Sequence, residues 1–176
     1  MLDLHTPRLH LIAATLAMAD AEASDRARLS ILLRASLPLD WPPPLNDEAS
    51  ARWFTEYLRL HPAAVGWVMW YFILDDAGAR RAIGNGGFKG EPNGGTVEVG
   101  YSIVPKFQRR GYATEAGGAL VEWSLGHDTV NRVVAETLPE LAASKAVLRK
   151  LGFQPAEGAS APGVLRFERL KIVRAS

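Results

Sequence analysis

The chain has 176 residues, 48% of them apolar, which is enough to bury one substantial core and short for two. Its 20 basic and 19 acidic residues leave a formal net charge of +1, so no broad nucleic-acid or membrane surface is indicated and any anion site must be local. There is no cysteine, which excludes disulfides, thiolate metal sites and a thiol nucleophile. The opening MLDLHTPRLHLIAAT lacks a basic segment followed by a sustained apolar block, and no later run is long enough to cross a bilayer, so one cytoplasmic domain over residues 1–176 is expected.

In chain order, the weak alternation of Arg8 to Ile12 predicts a first strand, followed by a helical stretch from Asp20 to about Ala35. Leu37-Pro38-Leu39-Asp40-Trp41-Pro42-Pro43-Pro44 must be loop, because proline lacks the amide donor a helix needs. Asn46 or Asp47 is placed to cap a helix reaching about His61, with Trp53, Phe54, Tyr57 and Leu58 as its apolar face. Val65 to Leu74 is apolar on both alternating sets, as in a strand covered on both faces, and Asp75 to Gly78 is turn chemistry. Ala82 to Phe88, the turn Glu91 to Gly95 and Thr96 to Val104 read as an antiparallel meander. A helix over Tyr112 to Leu125 carries Ala113, Ala116, Gly117, Leu120 and Ser124 on one side, small enough to lie close against a sheet. Arg132 to Thr137 is a β-branched strand, Pro139 suits the first turn of a helix ending at Leu151, and Phe153 with Val164 to Val173 supplies one or two closing strands. The whole predicts a mixed α/β (α+β) sandwich.

Between the strand and the helix lies Gln108-Arg109-Arg110-Gly111-Tyr112-Ala113-Thr114. A helix start leaves four N–H groups without partners and adds positive potential. If the loop folds over that end, the amides of Arg109 to Ala113 converge, Gly111 permits positive φ, and a pyrophosphate fits. Taken alone, the pattern is more often that of two solvated arginines and a turn glycine, because such local patterns arise often. The Walker pattern fails, since Tyr112-Ala113-Thr114 follows the glycine, and the dinucleotide fingerprint would need alanine in place of two of its three glycines.

Gln108-Arg109-Arg110-Gly111-Tyr112-Ala113 resembles the acetyl-coenzyme A signature Q/R-x-x-G-x-G/A of the Gcn5-related N-acetyltransferases (GNAT). Thr6-Pro7-Arg8-Leu9, Glu98-Val99-Gly100-Tyr101, Ala113-Thr114-Glu115-Ala116 and Lys150-Leu151-Gly152-Phe153 look like the branch containing the ribosomal-protein N-terminal acetyltransferases, so the resemblance covers about residues 6 to 153. It implies a mostly antiparallel sheet of six to seven strands, splayed near its middle and flanked by about four helices. It also implies acetyl-CoA as the acetyl donor, with no metal; the four histidines share no ligand spacing. Pantetheine would lie against free backbone groups of Ile103 and Val104. The diphosphate would sit on the amides of Arg109, Arg110, Gly111, Tyr112 and Ala113, with Gln108 in the motif and Thr114 offering a hydroxyl.

Acetylating an amine requires a neutral nucleophile, hence a base. Alternation puts Glu98 on the polar face of its strand, where it is as readily a solvent-facing carboxylate as a base; the matching Glu of similar acetyltransferases favours the base, its pKa raised by partial burial. Ser144 matches the serine of the family's Pro-x-Asn-x-x-Ser pattern and would donate to the departing sulfur. Leu141 stands where that pattern has the asparagine that holds pantetheine, and is otherwise core packing. The Val104 N–H would stabilise the oxyanion. The acceptor, an amine-bearing small molecule or a protein N-terminus, would be walled by the Leu37 to Asn46 loop, Trp41 included, the helix from Asp47 and the Gly158 to Gly163 connection. A homodimer stays open, as does a second reading, a non-catalytic acyl-CoA sensor.

Overall fold

The computed structural model of the chain describes residues 1–172. Its elements run β1 (Asp3–His5), β2 (Leu9–Ala13), α1 (Leu16–Ser24), α2 (Arg26–Leu33), α3 (Glu48–Leu60), β3 (Met69–Asp76), β4 (Ala79–Phe88), β5 (Thr96–Ile103), α4 (Tyr112–Leu125), β6 (Arg132–Thr137), α5 (Ala142–Lys150), β7 (Gln154–Ala156) and β8 (Leu165–Leu170). Eight strands form one sheet in the order β1-β2-β3-β4-β5-β6-β8-β7. Every neighbouring pair is antiparallel except β5 with β6. The architecture is the mixed, mostly antiparallel sheet the resemblance implies, with eight strands in place of six to seven and five helices in place of about four.

The additions have local causes. β1 is three residues long, too short to show a period, and pairs Asp3 to His5 with Ile12 to His10. The stretch read as one helix from Asp20 is two, because Asp25 leaves helical geometry at φ −146 and ψ 85. Its amide closes α1 on the Ala21 carbonyl, and its carboxylate accepts the Arg28 amide at 2.9 Å as the cap of α2. β3 begins at Met69, four residues later than predicted, because Pro62–Ala64 forms a 3-10 turn and Gly66 sits at φ 96. α5 begins at Ala142 and not at Pro139. The predicted Val173 end of the last strand lies outside the described residues.

The core runs through the middle of the sheet. On β3, Trp70, Tyr71, Phe72 and Ile73 are all fully buried, as two apolar alternating sets require, each contributing about 1.5–3 kcal/mol of burial. α4 lies close on β5: a Cβ at Gly117 would stand 3.3 Å from the Tyr101 ring and 3.2 Å from Leu151, so a larger residue would push helix and strand apart.

The sheet opens between β5 and β6. Their parallel pairing covers only Thr96 to Glu98 against Arg132 to Val134. Beyond it β5 stays with β4 as far as Ile103, opposite Gly84, while β6 stays with β8 as far as Thr137, opposite Leu165. The two strands therefore part just after Glu98, and α4 starts beyond the free end of β5. Among the described residues, no helix is long and apolar enough to cross a membrane.

Candidate active site

The first component is the start of α4. Arg109 has φ 59 and Gly111, the N-cap, has φ 84, so two left-handed residues turn successive amides at the helix end. Among the described residues the amides of Arg109 through Thr114 have no acceptor, and no side chain caps the helix. Six neighbouring donors and the dipole of a 14-residue helix make an anion site by construction. Arg109 and Arg110 are exposed beside it, Arg110 resting over the Phe107 ring at 5.9 Å. The Gln108 side chain turns back, its Nε2 donating to the Ile103 carbonyl at 2.8 Å, and so ties the loop to the end of β5.

A clamp absent from the sequence reading fixes this loop. Glu115, in the first turn of α4, accepts from Thr6 Oγ1 at 2.6 Å, the Arg8 amide at 2.8 Å and Arg8 Nε at 2.6 Å. Arg8 Nη1 also donates to the Arg110 carbonyl at 2.9 Å, and its guanidinium lies 4.5 Å from the centre of the Tyr112 ring. Burial works to raise the Glu115 pKa, but Thr6 and Arg8 together outweigh it and hold the carboxyl below its ordinary value. The words Thr6-Pro7-Arg8-Leu9 and Ala113-Thr114-Glu115-Ala116 are thus two sides of one contact.

The second component is the gap. The Val104 amide donates to the Ile83 carbonyl at 2.9 Å, on the β4 side. This corrects the assignment of Val104 as a free group and as the oxyanion donor: its N–H completes the β4–β5 ladder. Strand alternation turns the main-chain groups of Tyr101 and Ile103 the other way, toward the gap. The Tyr101 hydroxyl is buried and, among the described residues, has no hydrogen-bond partner. Burial pushes its pKa up to about 12, with the nearby Ser144 hydroxyl acting in the opposite direction. Alternation had filed Tyr101 with the apolar set, and nothing local signals that Ser144, on α5, comes beside it. Leu141 is 37% exposed and is the N-cap of α5 without a side-chain cap, which corrects its reading as core packing.

The third component is the face of β5 that carries Glu98, Gly100 and Ser102. Glu98 is 19% exposed and pairs with the Lys89 ammonium from the end of β4. Gly100 is exposed, with nothing near the position a Cβ would take, so the floor beyond Glu98 is bare backbone. On one side, Ser102 Oγ donates to the Pro44 carbonyl at 2.7 Å and Asn85 Nδ2 to Asn46 Oδ1 at 2.8 Å, fastening the proline loop to the sheet. On the other, Glu136 on β6 holds Arg166 at 2.9 Å and the Ser160 amide at 2.8 Å, fixing the 157–163 connection. Burial acts to raise the Glu136 pKa, and the Ser160 and Arg166 contacts reverse it to a net lowering.

Trp41 faces inward. It is 8% exposed, its indole N–H donates to Glu22 Oε1 at 2.7 Å, and with Glu22, Arg26 and Phe54 it lines a cavity of about 240 Å³ behind the proline loop. Burial raises the Glu22 pKa. Asp47 accepts the Ser50 amide at 2.7 Å, and that bond, the main cause, lowers its pKa; it serves as the cap of α3. Two of the four histidines, His5 and His10, pair across β1 and β2 beside Asp3, a meeting the spacing along the chain does not show. Arg80 Nη2 faces His10 Nδ1 at 3.0 Å, which leaves the proton on Nε2 to donate to Asp3 at 2.6 Å; the cluster is a proton-filled network.

The family model of the acetyltransferase (GNAT) domain matches residues 8–154. The chain is 29% identical over 154 residues to YjdG, an uncharacterized N-acetyltransferase of Bacillus subtilis (strain 168), covering 87% of this chain and 90% of that one. Among solved structures, an acetyltransferase from Agrobacterium tumefaciens str. C58 aligns with a TM-score of 0.65 at 23% identity, over 96% of this chain and 94% of that one. RimL, a ribosomal L7/L12 α-N-protein acetyltransferase solved with coenzyme A, aligns with a TM-score of 0.63 at 22% identity, over 94% and 95% of the two chains. These structural likenesses establish the fold. With the domain match spanning most of its length, the chain belongs to the acetyltransferase (GNAT) family, whose members are acetyl-CoA-dependent N-acetyltransferases.

Proposed function

We propose that the chain moves an acetyl group from acetyl-CoA to a primary amine, a protein N-terminal α-amine or that of a small molecule, within a ternary complex. The observation that carries this reading is the run of amides from Arg109 to Thr114 left without acceptors at the open end of parted strands. The residues fit the coenzyme: the amides and Thr114 hold its diphosphate, Arg109 and Arg110 add charge, and the gap edge of Tyr101 and Ile103 borders the pantetheine. Acetyl-CoA, when bound, supplies the thioester carbonyl. The order of Thr6 to Leu9, Glu98 to Tyr101 and Lys150 to Phe153 favours the ribosomal-protein branch, and hence an N-terminal α-amine.

Glu98 takes the proton of the incoming ammonium, directly or through water. The Ile103 amide, turned into the gap, replaces Val104 as the donor for developing negative charge. Ser144 offers a hydrogen bond to the departing sulfur, which takes the second proton of the nitrogen, and the neutral Tyr101 phenol packs beside that hydroxyl. Holding amine and thioester together supplies much of the remaining acceleration. The test is Glu98→Gln, with thiol release read across a panel of amines and short peptides and coenzyme affinity by calorimetry. A loss of about 10²–10⁴-fold in amine-dependent release with unchanged affinity is expected. Affinity without turnover on any amine would instead support the acyl-CoA sensor.

A further inference from the structure

Glu98 already holds an amine. Lys89 follows the last residue of β4, its amide donates to the Glu98 carbonyl at 3.0 Å, and its ammonium pairs with the Glu98 carboxylate. The pair lies where β5 and β6 part, and the floor next to it, Gly100, is uncovered. The Lys89 side chain is 66% exposed, so its four-carbon stem is free to swing over that floor. Glu136 adds a second carboxylate that acts electrostatically with Lys89. An acceptor ammonium entering this face must take the place of Lys89 on Glu98.

We propose that Lys89 is itself an acceptor and that the chain acetylates its own Nζ. This rests on the reading of Glu98 as the base and of the gap as the thioester channel. The Lys89 ammonium passes one proton to the Glu98 carboxylate, which returns it to water. The neutral Nζ forms a bond to the acetyl carbonyl carbon, the carbon–sulfur bond breaks, and the departing sulfur takes the second nitrogen proton. The products are Nε-acetyl-Lys89 and coenzyme A thiol. The modification removes the positive charge and the ion pair, so Glu98 is released for external amines; the unmodified chain is the self-blocked form.

The experiment incubates the full chain with acetyl-CoA and no other amine, then maps acetylation by peptide mass. One acetyl group per chain on Lys89 is expected, at a rate independent of protein concentration, with Lys106, Lys145 and Lys150 slower by at least an order of magnitude. K89R should abolish the single equivalent of thiol, and E98Q should keep coenzyme affinity while losing the mark. A second measurement uses no coenzyme: carbodiimide coupling of an amine to Glu98 should rise in K89Q. Equal labelling of all lysines, a mark that survives E98Q, or a rate that rises with protein concentration would overturn the proposal. If external amines are acetylated while Lys89 stays unmodified, the inference falls and the proposed function stands. If acetyl-CoA does not bind at all, both fall.

Discussion

On the proposed donor side of the cleft the site is made of main-chain amides at the start of one helix, whereas the face carrying Glu98 is built from side-chain hydrogen bonds that join β4, β5, β6, β8, the proline loop and the 157–163 connection. Among substitutions only proline removes a main-chain amide, so the proposed donor site depends on a few positions that set backbone shape. Side chains can be exchanged one at a time, so the proposed acceptor face is expected to change without disturbing the proposed coenzyme site. On the proposed function, the molecule separates a site that must stay constant from one that can vary with the amine.

Removing the clamp is the strongest way to break that separation. Glu115→Ala deletes several bonds to a carboxylate that is 14% exposed, and should cost about 1.5–3 kcal/mol of stability, with a parallel loss of coenzyme affinity, read by chemical denaturation and calorimetry. The same residue has a pH signature. Glu115 and Glu136 both have folded pKa values below their unfolded ones, so their stabilisation is present above the ordinary glutamate range and is lost as pH falls through the depressed values. A melting-temperature profile should fall on the acid side, less steeply in Glu115→Ala.

The counterpart on the acceptor side is Trp41→Phe. It strips the part-buried Glu22 Oε1 of its donor, for about 1–3 kcal/mol, while coenzyme affinity should stay unchanged; a fall in affinity would mean the two sides are coupled. Gly111→Ala should cost about 1–2 kcal/mol, because φ 84 disfavours any Cβ and the added atom would stand 3.3 Å from Arg8 Nη2, and here coenzyme affinity must fall. The smallest effect runs the other way. Leu141→Asn supplies the missing cap of α5 and should add about 1 kcal/mol, seen as a higher denaturation midpoint at constant slope.

How much of this was legible differs by range. The doubly apolar pattern of β3, the small-residue side of α4 and the basic turn with its glycine are short-range patterns; α4 and the turn lie where the sequence placed them, and β3 starts four residues later because of the 3-10 turn before it. The partner of Glu98 was not legible. Gly94 and Gly95 form a two-residue loop closed by Asn93 and Thr96. Counting outward from it sets Glu91 opposite Glu98, two like charges. A break at Gly90, φ 96, shifts the register and brings Lys89 there instead. The Thr6–Arg8–Glu115 clamp joins residues 107 apart, a separation beyond any periodicity, although both halves appear as recognisable words.

From the sequence by itself came the mixed fold, the amide-lined turn before α4 and the family it resembles, because helix ends, turn glycines and alternation are properties of a few consecutive residues. Only the tertiary structure decided which amides are free. Val104 is spent on Ile83 while Tyr101 and Ile103 face the gap, since a strand's hydrogen-bonding side depends on which strand lies beside it. It also decided that Glu98 meets Lys89 and that the Tyr101 hydroxyl lies near Ser144 in a buried place, because contacts between distant segments are fixed by register and packing.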